Sequence, residues 1–254
     1  PEKYYLSWKP EENRPADISP LDWELSSLCK KETLLEIIHD FLIYESGIKK
    51  ICRPHQYFGI KAAQKRIATN KGGIIWHTQG SGKSLTMVWL AMWIRENISS
   101  SRILVITDRD ELDRQIEGVM RNAGVIGRVS APPRITSRRE LVEKLGSTTP
   151  RVMCALIHKF PVQKKRRDDD AVYDGIMEAL AEGGLPVVRG RFYIFVDECH
   201  RTQGGEMNRQ MKRWMKDAIF IGFTGTPIEK TDANTRAVFG DYISIYDIER
   251  AVKD

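Results

Sequence analysis

Residues 77–84 read HTQGSGKS, and their neighbours make them decisive: the apolar run GIIWH at 73–77 has the length of a strand, and 83–97 reads as a helix. Strand, glycine-containing loop and helix in that order are the setting of a phosphate-binding loop. Gly80 and Gly82 let the backbone turn its N–H groups inward toward an anion, and the following helix adds its positive N-terminus. Lys83 then neutralises β- and γ-phosphates, and the Ser84 hydroxyl ligates Mg²⁺. The candidate nucleotide contacts are Gln79, Gly80, Ser81, Gly82, Lys83 and Ser84. The strict GxxxxGK[ST] pattern has a glycine where this chain has His77.

Working outward, short apolar runs alternate with helical patterns. Strands are expected at 73–77, 102–107, 152–157, 192–196 and 218–223, and helices at 83–97, 110–122, 138–145, 173–181 and 207–216. The strands lack polar alternation, which predicts burial on both faces and hence an α/β domain with a mainly parallel sheet flanked by helices. Before the loop, an amphipathic stretch runs from about 55 to 69. Residues 9–20 are polar with three prolines, and 31–44 has a helical pattern placing Leu34, Leu35, Ile38, Phe41 and Leu42 on one face. Residues 1–50 therefore read as a helical connector and 51–254 as the main domain, with 161–190 as a surface insertion.

A second motif tests the first. FYIFVDECH at 192–200 sets Asp197 at a strand end, where a carboxylate can hold the water shell of Mg²⁺. Adjacent Glu198 is placed to orient and deprotonate an attacking water.

Composition narrows the class. Of 254 residues 41% are hydrophobic and 29% charged, and no run approaches the roughly 18 apolar residues of a membrane span, so no membrane partner is expected. The four cysteines are scattered without a CxxC pair and the five histidines form no zinc-ligand pattern, so reduced thiols in a cytoplasmic protein and no protein-ligated metal are expected. The net charge of +6 concentrates between residues 134 and 167, where ten Lys or Arg face only Glu140 and Glu143. Such a block suits either a phosphate backbone or a solvated loop. The chain starts at Pro1 and stops at Asp254 within a helix-like pattern, and reads as a piece of a longer protein.

Gln56, GSGKS, ILVITDRDELDRQI at 103–116, VDECH and GFTGTP at 222–227, in that order, resemble the first RecA-like motor domain of superfamily 2 helicases and translocases. WHTQGSGKS, TDRDELDRQ, DECHRTQ and FTGTPI together are similar to the motor (R) subunit of type I restriction enzymes of bacteria and archaea, across most of 51–254. The resemblance implies a P-loop ATPase that uses ATP and Mg²⁺ to move double-stranded DNA, with methyltransferase and specificity subunits as partners. It implies that Gln56 reads the adenine, that Thr107, Asp108 and Arg109 face DNA, and that His200, Thr224, Gly225 and Thr226 couple hydrolysis to motion. Asp108 or Asp110 also serves as a helix cap. Cys199 stands where the family often has Ala, and a small thiol is expected to fit. Nothing after Pro227 is long enough for a second motor domain with its arginine finger, and no Lys has an acid two positions before it, so the family's nuclease motif is not here. Another superfamily 2 helicase, or a nucleotide- and DNA-binding module without turnover, are the alternative readings.

Overall fold

Among the described residues, seven strands form one sheet in the order β5-β6-β4-β7-β8-β3-β9, and every pairing in it is parallel. They are β3 (Gly73–His77), β4 (Ser101–Thr107), β5 (Arg134–Ile135), β6 (Val152–Leu156), β7 (Arg191–Val196), β8 (Ile219–Thr224) and β9 (Tyr242–Tyr246). This computed structural model describes residues 8, 13–45, 47–107, 134–135, 138–156, 188–199, 215–226, 236–237 and 239–253. The five expected strands all form, within a residue or so of their expected ends. Their unbroken apolar character has the anticipated cause: β4 and β8 are buried at every position. The edge strands β5 and β9 were not anticipated, one having two residues and the other only half-buried positions apart from Tyr246.

Helices cover both faces. α3 (Pro54–Ala68) starts with proline at its first turn, and α4 (Lys83–Asn97) starts directly after Gly82 and buries Met87, Val88, Trp89, Leu90, Ala91 and Ile94. With Ile75, Val105, Phe195 and Phe223 from the strands they form one apolar layer. On the other face Leu104, Ile106, Ile194 and Phe220 pack with Leu141 and Leu145 of α5 (Arg138–Gly146). Burying each such side chain contributes about 1.5–3 kcal/mol. A last helix, α6, spans Ile248–Lys253.

The N-terminal segment departs from its expected form. α1 (Pro20–Leu28) is capped by Ser19, whose hydroxyl accepts from Asp22 N–H, and α2 covers only Lys31–Asp40. The chain then turns at Phe41 into an antiparallel hairpin, β1 (Leu42–Glu45) and β2 (Ile48–Ile51). Of the apolar face expected at 31–44, Phe41 enters the core together with Ile37, four residues away, while Leu34, Leu35 and Ile38 are exposed. Phe41 packs on Tyr57 and Trp89, and Trp8 on Tyr57 and Phe58. Tyr57 and Lys61 of α3 both donate to the Glu36 carboxylate. Trp8, Ile37, Phe41 and Ile43 thus share the apolar layer of α3 and α4.

The expected helices at 110–122 and 173–181 and most of 161–190 lie outside the described residues, as does 207–214 of the expected 207–216 helix. Met215 to Asp217 form a turn before β8.

Candidate nucleotide site

Four consecutive strands of the sheet, β4, β7, β8 and β3, each end in one of the motifs read from the sequence. All three pairs are parallel, so Thr107, Asp197–Glu198, Thr224–Thr226 and the loop after His77 share the carboxyl edge of the sheet, where α/β folds bind ligands. Residues far apart in sequence are neighbours here because parallel strands start and stop in register.

The loop turns at Gly80 and Gly82, whose φ of +81° and +83° lie in the left-handed region. A Cβ on Gly82 would come within 2.6 Å of the Gln56 amide nitrogen, whereas one on Gly80 would meet open space. Ser81 N–H donates to Thr78 O, and the Ser81 hydroxyl is buried without a partner. Lys83 Nζ donates to the carbonyl oxygens of His77 at 3.2 Å and Thr78 at 3.4 Å. These residues fit a phosphate chain: the cradle is open above Gly80, a buried hydroxyl lacks an acceptor, and Lys83 and Ser84 occupy the first turn of α4.

Gln56 is 2% exposed and its amide is engaged on both sides. Its Oε1 accepts from Arg53 N–H at 2.8 Å, and its Nε2 donates to Gly82 O at 3.0 Å and Ser81 O at 3.4 Å. The side chain expected to read a base here holds the phosphate loop against the start of α3.

Asp197 and Glu198 follow β7 and are buried at 5% and 7% exposure. Asp197 N–H donates to Ile106 O, and the Thr107 hydroxyl donates to Asp197 Oδ2 at 3.4 Å. Thr107 is fully buried, turned toward this carboxylate. Glu198 adopts φ +48°, a backbone conformation that side chains rarely adopt and that clusters at functional sites. Cys199 is fully buried and packs over Gly222, where an added Cβ would lie 2.7 Å from Sγ. The close approach of β8 accommodates the thiol.

After β8, the Thr224 hydroxyl donates to Thr226 O at 2.9 Å and accepts from Thr226 N–H at 3.2 Å, closing a tight turn. A Cβ on Gly225 would lie 3.1 Å from Lys83 Nζ and 3.6 Å from Gln79 N, so this turn rests directly on the phosphate loop. Asp108, Arg109 and His200 lie outside the described residues.

Sequence reasoning missed a cluster behind the loop. The His55 ring stacks on Tyr246 of β9 with centroids 3.9 Å apart and planes 10° apart, and its Nε2 lies 3.0 Å from Ser81 O. His77 turns its ring into the protein, edge-on to His55, with Nε2 2.9 Å from Ser244 Oγ. Gly59 makes room: a Cβ there would approach the His77 ring to 3.1 Å. Burial first, then the positive fields of His55 and Lys83, push the His77 pKa down to about 3. The signal for this cluster was the departure from the strict loop pattern at position 77; nothing in the sequence marked Ser244 or Tyr246.

Residues 55–254 match the family model described as SWI2/SNF2 ATPase. The chain belongs to the SWI2/SNF2 ATPase family. That family's name implies nucleotide use. This SWI2/SNF2 ATPase chain is 31% identical, over 98% of its length, to the type I restriction enzyme HindI endonuclease subunit of Haemophilus influenzae, and covers 25% of that protein. It is 27% identical over 97% of its length to the type I restriction enzyme SauCOLORF180P endonuclease subunit of Staphylococcus aureus, again covering 25% of the relative. The chain therefore spans about a quarter of the curated relatives it matches. Among solved structures, the Sulfolobus solfataricus SWI2/SNF2 ATPase core in complex with dsDNA aligns with a TM-score of 0.55 at 16% identity, covering 80% of this chain and 37% of that one. That likeness establishes the RecA-like α/β fold. Among the described residues, no helix is long and apolar enough to cross a membrane.

Proposed function

We propose that this domain is the ATP-binding half of the DNA translocase motor of a type I restriction enzyme, with residues 1–50 as the connector and 51–254 as the first motor domain. One observation carries the reading: the phosphate loop, the Asp197–Glu198 pair and the Thr224–Thr226 turn stand side by side on one sheet edge, with Gly225 against Lys83. The similarity to two type I restriction endonuclease subunits supports the restriction context.

In this reading Lys83 leaves the His77 and Thr78 carbonyls to meet the β- and γ-phosphates of ATP, while loop N–H groups surround the phosphate chain. Ser84 and Asp197 would hold Mg²⁺, which when bound would supply charge neutralisation at the phosphates. Glu198 accepts the proton of the attacking water. The Thr224–Gly225–Thr226 turn, touching Lys83, passes the nucleotide state onward together with His200. Gln56 reads adenine by releasing its contacts with the loop. Asp108 and Arg109, following Thr107, meet the backbone of double-stranded DNA. A second motor domain elsewhere in the parent supplies the arginine finger, and methyltransferase and specificity subunits set the DNA site.

The test is displacement of the third strand from triplex DNA by the full-length parent assembled with its partner subunits and ATP. Displacement with the duplex intact supports translocation, with Lys83→Ala removing both displacement and ATP turnover and Glu198→Gln retaining ATP without hydrolysing it. Hydrolysis with strand separation instead would favour a helicase. Wild-type turnover in either variant would overturn the assigned roles.

A further inference from the structure

At the amino edge of the sheet, about 20 Å from the phosphate loop along the strands, lies a cavity of about 240 Å³ lined by Ser100, Ser101, Arg102, Thr148, Arg151, Arg189 and Gly190. Its lining is made of donors: three guanidinium groups, three hydroxyls and, among these described residues, no carboxylate.

Arg102 is 2% exposed, yet carries a formal charge. Its Nη1 donates to the carbonyls of Leu145, Ser147 and Arg189, and its Nη2 to those of Lys144 and Pro150, with the guanidinium 4.7 Å from the centre of the Phe192 ring. The Arg102 Nε–H is buried and has no acceptor. Arg151 donates from Nε to Ser101 O, and from Nη2 to Arg95 O, Ile98 O and Ser101 Oγ. The two arginines thus cap the carboxyl ends of α5 and α4. A helix end offers roughly half a negative charge, so two ends leave most of the positive charge of Arg102, Arg151 and exposed Arg189 uncompensated. Burial alone already pulls the Arg102 guanidinium below its ordinary range. Buried charge without a counter-ion is costly, and a bound oxyanion would supply one.

We propose that this cavity is a second phosphate-binding site, in which Arg151 and Arg189 grip the phosphate group, Arg102 supplies buried positive charge, and the Ser100 and Thr148 hydroxyls donate to its oxygens, while the Ser101 hydroxyl donates to Ile94 O and accepts from Arg151. Guanidinium forks and hydroxyls together suit a tetrahedral oxyanion with several acceptor oxygens. The site gives a use to the basic segment 134–167, of which Arg151 is part. It stands at the far end of α4 from Lys83, so one helix would carry a phosphate site at each end. It does not depend on the function proposed above.

The probe is inorganic phosphate, titrated into the 254-residue chain while the backbone amides of Ser100, Thr148 and Gly190 are followed by NMR. These amides are expected to shift saturably, with affinity weakened about tenfold or more in Arg189→Ala and in Arg151→Gln. The Gly80 and Gly82 amides report the first site separately, and their unchanged affinity in Arg189→Ala shows that the fold is intact. A parallel titration with a short DNA duplex identifies the source. Movement of the same amides, competed by phosphate and with a salt slope reduced by about one in Arg189→Ala, assigns the group to the DNA backbone. Amides that respond to phosphate but not to duplex assign it to a free or small-molecule phosphate. Shifts that never saturate, or affinities equal in wild type and both variants, overturn the proposal.

Discussion

Lys83 Nζ donates to the carbonyl oxygen of His77, and the His77 ring on the other side of the same residue contacts Ser244 of β9. The lysine of the phosphate loop is therefore held by a residue whose side chain is anchored on the edge strand. With His55 stacked on Tyr246 and bonded to Ser81, the loop has two attachments to β9 besides the Thr78 N–H to Tyr246 O hydrogen bond.

His77 makes stability depend on acid. Its folded pKa is about 3 against an ordinary 6.5, so between these values the unfolded chain binds the extra proton and stability falls as pH falls. The contribution is whole above pH 6.5 and is lost at up to about 1.4 kcal/mol per pH unit. Urea unfolding at pH 7 and pH 4.5 should show a loss of roughly 2–3 kcal/mol that disappears in His77→Asn. An equal acid loss in that variant would place the effect elsewhere.

The stack of His55 on Tyr246 should behave as a coupled pair. Tyr246→Leu keeps the backbone bond to Thr78 but removes the ring contact, and a double-mutant cycle with His55→Ala should return a coupling of about 0.5–1.5 kcal/mol. Chemical unfolding of the four proteins measures it, and additive losses would mean that the rings do not support each other.

Gln56→Ala removes two hydrogen bonds joining α3 to the loop and one within the cap of α3. A loss of about 1–3 kcal/mol in unfolding free energy is expected. Binding of a fluorescent ATP analogue and of the matching GTP analogue should weaken together if Gln56 acts by holding the loop. Selective loss of the adenine nucleotide would show base reading instead.

Gly222→Ala should destabilise the domain by about 1–3 kcal/mol through overpacking, since the new methyl would lie 2.7 Å from Cys199 Sγ and 3.1 Å from Phe239 Cδ1. Adding Cys199→Ala should recover part of that loss in the same urea assay. No recovery would shift the blame to Phe239.

The strands of the sheet and the glycine loop were legible for local reasons. An apolar run without alternation can only be a fully buried strand or part of a buried helix, and the short runs at 73–77 and 102–107 settle that by length. Glycine at 80 and 82 is demanded by backbone angles that other residues rarely adopt. Residues 31–44 were misread because helical periodicity there offers two apolar faces, and the one that is buried depends on where α3 and α4 stand.

By itself, then, the sequence determined the α/β class, the strand–loop–helix around Lys83 and the acidic pair after β7, because each depends on residues adjacent in the chain. Only the tertiary structure decided that Gln56 grips the loop, that Gly225 rests on Lys83, that His77 is anchored on Ser244, and that Arg102, Arg151 and Arg189 surround one cavity. Those contacts span from about twenty-five to well over a hundred residues of chain. They are set by strand order and register, which no local pattern of residues encodes.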